Sequence, residues 1–176
     1  MKTLIIVTHP DIEKSVINKR WIEELKKFPE KYTVHQLYEV YPDGKINVAR
    51  EQKLMESYDK IVFQFPFYWF SSPPLLKQWL DEVVLYGWAY GSTSGYQLQG
   101  KKMSLAVTAG IDEEGYSRAG EYKYTMKELF RPYELTFDYI RADYKEPFVY
   151  YGIERDSSKE WIEKSIPGYL EFLDNL

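Results

Sequence analysis

The sequence predicts an α/β fold: a five-stranded parallel sheet of order 2-1-3-4-5, held between two layers of helices, in a single domain over residues 1–176. Two observations predict it. Short apolar runs alternate with amphipathic, helix-period stretches along most of the chain, which is the pattern of parallel strands joined by right-handed helical crossovers. There are five such runs, too few for the six strands of a two-half dinucleotide fold.

The elements follow in order. Residues 2–8 are an uninterrupted apolar strand, as expected for a strand covered on both faces. His9-Pro10-Asp11 breaks it. From Ser15 a helical period sets Ile17, Trp21, Ile22, Leu25 and Phe28 against Lys19, Glu23, Glu24, Lys26 and Lys27, and Pro29 ends it. Strand two covers 32–37, and Tyr41-Pro42-Asp43-Gly44 is a turn by residue chemistry. A helix spans 49–57 and strand three 60–65. Pro74 opens a helix to about residue 86. A glycine-bearing loop to Gly100 leads into strand four, 102–108. Residues 121–142 are expected to be mostly helical with a break at Pro132, strand five to cover 147–151, and a last helix, 159–173, to be interrupted near Pro167.

Composition narrows the chemistry. With 23 basic and 27 acidic residues the net charge is −4, which gives no nucleic-acid footprint. No cysteine is present, so thiolate catalysis, disulfides and Cys-ligated metals are excluded. Two histidines, His9 and His35, do not make a zinc set. The first apolar run is too short for a signal core or a membrane span, and a cytoplasmic protein is expected. Aromatics reach 18 %, with 17 tyrosines, which points to an aromatic-lined pocket or an interface.

Three loops carry the functional reading, each after a strand expected at the sheet's carboxyl edge, where open α/β sheets bind ligands. After strand one, His9 and then Ser15, Val16, Ile17 and Asn18 lie at a helix start, whose free amides and dipole suit a phosphate; they equally suit an ordinary capped loop. After strand three come four adjacent rings, Phe67, Tyr68, Trp69 and Phe70, able to stack on a flat conjugated ligand or to pack against a neighbour; in extended chain they alternate sides. After strand four, Thr108-Ala109-Gly110 is a plain turn or one that lets a ligand approach backbone amides. Together these make the layout of a flavin site. Gly95-x-x-x-x-Gly100-Lys101-Lys102 is a decoy: it lacks the Ser or Thr of a P-loop and precedes a strand.

The residues also match a family nearly end to end: His9-Pro10 with Ser15 and Asn18-Lys19-Arg20, Tyr41-Pro42-Asp43, Glu51-Gln52, Gln64, Pro66 with Trp69, Pro73-Pro74-Leu75-Leu76-Lys77, and Gly87-Trp88-Ala89-Tyr90-Gly91. The chain resembles the flavodoxin-like NAD(P)H dehydrogenases (quinone), nearest to the bacterial potassium-efflux ancillary and general-stress oxidoreductases. That resemblance implies a flavin, FMN with FAD as the alternative, and NAD(P)H as co-substrate. It implies a quinone-like acceptor and a homodimer whose 87–96 and 116–122 regions reach a shared pocket. The alternative it carries is a regulatory subunit held at the inner membrane face by a potassium-efflux transporter. By resemblance His9 and Ser15, Val16, Ile17 and Asn18 hold phosphate and ribityl chain, the four rings hold the isoalloxazine, and Thr108, Ala109, Gly110 and Ile111 close on its edge. Tyr116 and Tyr122 form the candidate catalytic pair. Tyr122 stands where larger relatives have a catalytic histidine, and a phenol titrating near ~10 does not shuttle protons near neutrality. Ile111 replaces a glycine.

Overall fold

The computed structural model describes every residue except Met1 and Ser94. Its sheet is parallel and ordered β2-β1-β3-β4-β5, with β6 also paired to β4. The strands are β1 (Thr3–Val7), β2 (Tyr32–Gln36), β3 (Lys60–Pro66), β4 (Lys102–Thr108), β5 (Asp143–Tyr144) and β6 (Phe148–Tyr150). The helices are α1 (Ile17–Leu25), α2 (Leu37–Val40), α3 (Val48–Glu56), α4 (Pro74–Val83), α5 (Met126–Leu129), α6 (Arg131–Tyr139) and α7 (Lys159–Asn175).

Strand side chains alternate between two cores. Ile5, Val7, Val62 and Ala106 face α1 and α7, where Trp21 stacks on Tyr169 at 4.3 Å. Leu4, Ile6, Ile61, Phe63, Phe65, Leu105 and Val107 face the other layer, with Trp79 of α4 and Phe137 of α6. Both faces are therefore dry, as the continuous apolar runs require. The strands do not end level. Val7, the last residue of β1, pairs with Gln64, while β3 continues to Pro66 beside Thr108. The chain after β1 thus leaves the sheet two residues early, and the step opens the crevice.

Several boundaries differ from the sequence expectation. The expected strand at 147–151 is one lane shared by β5 and β6, both parallel to β4. Between them Ser104 Oγ donates to the carbonyls of Lys145 and Glu146, and Pro147 has no N–H to give the ladder. Residues 121–125 are not helical. Thr125 and Glu128 form a reciprocal capping box that starts the helix at Met126. The break near Pro132 falls at Phe130, with the proline in the first turn of α6. The helix α4 stops at Val83, whose carbonyl accepts from Gln52 Nε2. The helix α7 runs through Pro167 uninterrupted. The ~3 kcal/mol that an internal proline costs is outweighed by the buried face of this helix. Glu24, expected on the solvent side of α1, is buried and held by Arg20 and Lys27. Three short elements had no sequence signal: α2, and 3-10 turns at Ile12–Lys14 and Glu113–Tyr116.

Candidate functional site

The three loops meet at the carboxyl ends of β1, β3 and β4. One crevice, about 390 Å³, is lined by His9, Ser15, Val16, Asn18, Phe67, Tyr68, Thr108, Gly110 and Glu154, among others. A smaller cleft of about 210 Å³ adjoins it and shares Phe67, Gly110 and Glu154. Trp69, Phe70, Ile111, Tyr116 and Tyr122 complete that cleft.

The first loop presents unpaired donors at the start of α1. Ser15 Oγ accepts from Asn18 N at 3.0 Å, as a cap does, which leaves its hydroxyl proton free to donate. The amides of Val16 and Ile17 stand at the start of α1 with no intrahelical acceptor. His9 Nδ1 accepts from Asp11 N at 3.2 Å, so in the neutral ring the proton sits on Nε2. Burial holds the His9 pKa below its ordinary value, against the pull of the Asp11 carboxylate. Near neutrality His9 is therefore a hydrogen-bond donor and not a cation. Beside it Thr8 Oγ1 is buried and has no hydrogen-bond partner among the described residues.

Asn18 and Ile17 are placed differently from the rest of this loop. Ile17 is fully buried and can offer a ligand only its amide. Asn18 is 2 % exposed and works as a strut. Its Nδ2 donates to Thr108 Oγ1 at 3.0 Å, and its Oδ1 and backbone carbonyl accept from Gln64 Nε2. Gln64 Oε1 in turn accepts from the Tyr169 hydroxyl at 2.7 Å. A buried polar chain thereby ties the phosphate loop to β3, to the end of β4 and to α7. Its sequence signal was Gln64, a polar residue inside a run of buried apolar ones.

The aromatic loop is not extended. Tyr68 and Ser71 exchange backbone hydrogen bonds at 3.1 and 2.9 Å, closing a tight turn with Trp69 at φ 47° and Phe70 at φ 60°. Positive φ at both central positions is the type I′ pattern, normally filled by Asn and Gly. Two bulky rings there cost roughly 1–2 kcal/mol each. What the turn secures is two consecutive amides, Trp69 N and Phe70 N, that donate to nothing among the described residues. Such a pair forms a small anion-receptive nest. The Trp69 ring is 93 % exposed above it, while Phe67 packs inward against Phe130 and Tyr116.

The third loop is laced to the end of β6. Ala109 N donates to Tyr150 O, so that amide is spent, whereas Gly110 N and Ile111 N find no acceptor among the described residues. Tyr116 and Tyr122 do come together, with ring centroids 5.1 Å apart, and Tyr122 meets Phe70 edge-on at 4.9 Å. Burial, with smaller contributions from Tyr122, Glu154 and Glu121, pushes the Tyr116 phenol up to about 12. Glu154, which lines both crevices, was not singled out from the sequence. It lies 44 residues from Gly110, and only the fold joins them. The decoy lysines are structural: Lys101 Nζ donates to the carbonyls of Glu56 and Tyr58, and Lys102 Nζ to Leu176, at the amino end of β4.

Comparison with known proteins bears on the fold and the family. The family model described as a flavodoxin-like fold matches residues 1–173. The structure of general stress protein 14 of Treponema denticola in complex with FMN superposes with a TM-score of 0.93 at 48 % identity, over 99 % of each chain. A structure of an NADPH-quinone reductase from P. pentosaceus gives 0.88 at 29 % identity, over 100 % of this chain and 99 % of that one. The glutathione-regulated potassium-efflux system ancillary protein KefG of Cronobacter sakazakii is 38 % identical over 90 % of this chain and 85 % of its own. The chain belongs to the flavodoxin-like NAD(P)H oxidoreductase family.

Proposed function

We infer that the protein is a flavin-dependent NAD(P)H oxidoreductase that binds FMN in the joined crevices and passes reducing equivalents to a quinone-like acceptor. The observation that carries this reading is the pair of amides at the strained Trp69–Phe70 turn that find no acceptor among the described residues, in a cleft that adjoins the crevice at the start of α1. An amide pair held at a conformational cost and left without an acceptor is the mark of a ligand clamp. FMN presents a phosphate at one end and a polar pyrimidine edge at the other, which suits both seats.

The residues divide the work. Val16 N, Ile17 N, the Ser15 hydroxyl and His9 Nε2 hold the phosphate. Asn18 and Thr108 fix the spacing between that seat and the ring seat. Trp69 N and Phe70 N would hold the polar pyrimidine edge of the ring and stabilise the negative charge it gains on reduction. The Trp69 ring and Phe67 offer faces and edges to the isoalloxazine, and Tyr68 closes the ribityl side. Thr108, Ala109, Gly110 and Ile111 form the opposite rim. When bound, the flavin supplies the hydride relay between NAD(P)H and the acceptor. Phe70, Tyr116 and Tyr122 shape the cleft where nicotinamide and quinone take turns. With its pKa pushed to about 12, Tyr116 orients by hydrogen bonding and does not act as a proton source near neutrality.

The same reading includes a homodimer. An apolar groove of about 660 Å³ between α4 and α6 begins at Phe70 and Ser71, and exposed Leu135, Tyr139 and Tyr86 flank it. A second copy there would cover these side chains and wall the ring cleft. Likeness to KefG favours one other reading, a regulatory subunit of a potassium-efflux system. The deciding experiment is the visible spectrum before and after anaerobic NADPH, followed by a quinone. A flavin spectrum that bleaches and then returns is expected. A bound flavin that NADPH leaves oxidised would favour the regulatory reading, and a protein that takes up no flavin would refute the site.

A further inference from the structure

We propose that Glu154 is the acceptor for the N3–H of the flavin's pyrimidine ring, a positioning residue that reads the ring's polar edge. This rests on the flavin reading above and extends it to a residue that neither the sequence motifs nor the comparisons mark.

The backbone fixes where Glu154 sits. Gly152 N donates to the carbonyls of Ala109 and Ile111, Ile153 N to Ala109 O, and Glu154 N to Gly110 O at 2.9 Å. The end of β6 is thus stitched residue by residue onto the loop after β4. Gly110 has no side chain, and the Glu154 carboxylate occupies the space one would need: a Cβ built at 110 falls 2.5 Å from Glu154 Oε1. The carboxylate lies where the two crevices join. It makes no hydrogen bond or ion pair among the described residues. Cations on the surrounding loops are engaged elsewhere, Lys14 with Asp11 at 2.7 Å and Arg155 with Asp112 at 3.5 Å. Its charge also reaches Tyr116, where it adds to the effect of burial.

An unpartnered acceptor amid unpartnered donors has a specific complement. Gly110, Ile111, Trp69 and Phe70 all line the cleft, and none of their four amides donates to an acceptor among the described residues. The pyrimidine edge of an oxidised flavin reads O4, N3–H, O2, which is acceptor, donor, acceptor. The amides take the two carbonyls, and N3–H, the ring's one donor, is left needing an acceptor. Glu154 is the carboxylate shared by both crevices beside Gly110, and a charge-assisted bond to it is stronger than one to a neutral group. Its negative charge also opposes the charge that accumulates at N1–C2=O2 on reduction, so Glu154 favours oxidised over reduced flavin.

The test compares FMN with N3-methyl-FMN by fluorescence titration on the wild type, E154A, E154Q and G110A. Wild type is expected to bind the methylated analogue roughly tenfold more weakly than FMN. E154A is expected to bind FMN roughly tenfold more weakly than wild type and to distinguish the two flavins little or not at all. G110A, which displaces the carboxylate while retaining it, should resemble E154A. In E154Q the midpoint potential of bound FMN should rise, with reduced flavin bound about two- to fivefold better relative to oxidised. Full discrimination against the N3-methyl group in E154A would overturn the proposal, as would wild-type affinity and potential in E154A and E154Q. Failure of the wild type to bind FMN would overturn the flavin reading itself, and Glu154's role with it.

Discussion

Glu51 is fully buried in α3, and three donors converge on its carboxylate: His35 Nε2 at 3.0 Å, the Tyr41 hydroxyl at 2.6 Å and Trp79 Nε1 at 2.8 Å. These come from β2, the turn after α2, and α4, so one side chain joins three elements. Glu51→Leu keeps the volume and removes the acceptor. At roughly 1.5 kcal/mol for each of the three buried donors left unpaired, less roughly 1.5 kcal/mol returned by the added apolar side chain, a net loss of about 3 kcal/mol is expected. In urea, with a slope of about 2 kcal/mol/M, the midpoint falls by roughly 1.5 M. Glu51→Gln should lose about half as much, because Tyr41 can reverse its hydrogen bond and accept from the new amide. The pH dependence has a definite sign. Burial alone would raise the Glu51 pKa, but the bonds from His35, Tyr41 and Trp79 outweigh it and hold the carboxyl below its ordinary value. A lowered carboxyl pKa contributes stability that is present above the unfolded-state value, near ~4.3, and is lost as pH falls through the folded value. The gap between wild type and Glu51→Gln should therefore be full at pH 7 and close only in acid. FMN affinity of the folded variants should be unchanged, since none of these groups lines the crevices. A Glu51→Leu protein as stable as wild type would refute the reasoning, because it would mean the carboxylate's desolvation cancels its three bonds.

Four further outcomes are expected. Val16→Pro removes one amide from the phosphate seat at a position with φ −80°, which proline tolerates; FMN should bind roughly tenfold more weakly while riboflavin, which has no phosphate, is unaffected, by parallel titrations. Trp69→Asn relieves the positive φ, so the flavin-free protein should gain roughly 0.5–1 kcal/mol in thermal unfolding and lose about three- to tenfold in FMN affinity. Tyr122→Phe should leave the rate of flavin reduction by NADPH within about threefold in stopped flow, because that step needs no proton from the phenol. Between pH 6 and 9 the same rate in wild type should show no limb from Tyr116, whose phenol titrates at about 12.

Much of the fold was legible because the rule that forms it is local. Strand β4 runs from Lys102 to Thr108 as expected, since an apolar run flanked by a glycine turn and a small-residue loop has few other solutions. The three-loop crevice followed from strand order alone. What was not legible depended on partners distant in sequence. The continuity of α7 through Pro167 is set by Trp21, Ser165 and Tyr169 packing, which no local propensity records. The fifth lane is divided because Ser104 reaches two carbonyls about forty residues ahead of it. The four rings stood out as a stacking platform or a packing surface, but their turn did not, because a type I′ turn without Asn or Gly breaks the code by which such turns are read.

The chain of hydrogen bonds under the phosphate loop has a consequence in time. Asn18 and Gln64 are synthesised well before the group that locks them, since Tyr169 follows Gln64 by 105 residues. At ribosomal speeds of ~5–20 residues per second, that interval is roughly 5–20 s. Through it β1, β3 and α1 can form while the amide of Gln64 lacks its restraint and Trp21 lacks its stacking partner. The crevice proposed for the flavin is thus completed only when α7 docks, and flavin binding, as proposed, would follow that step.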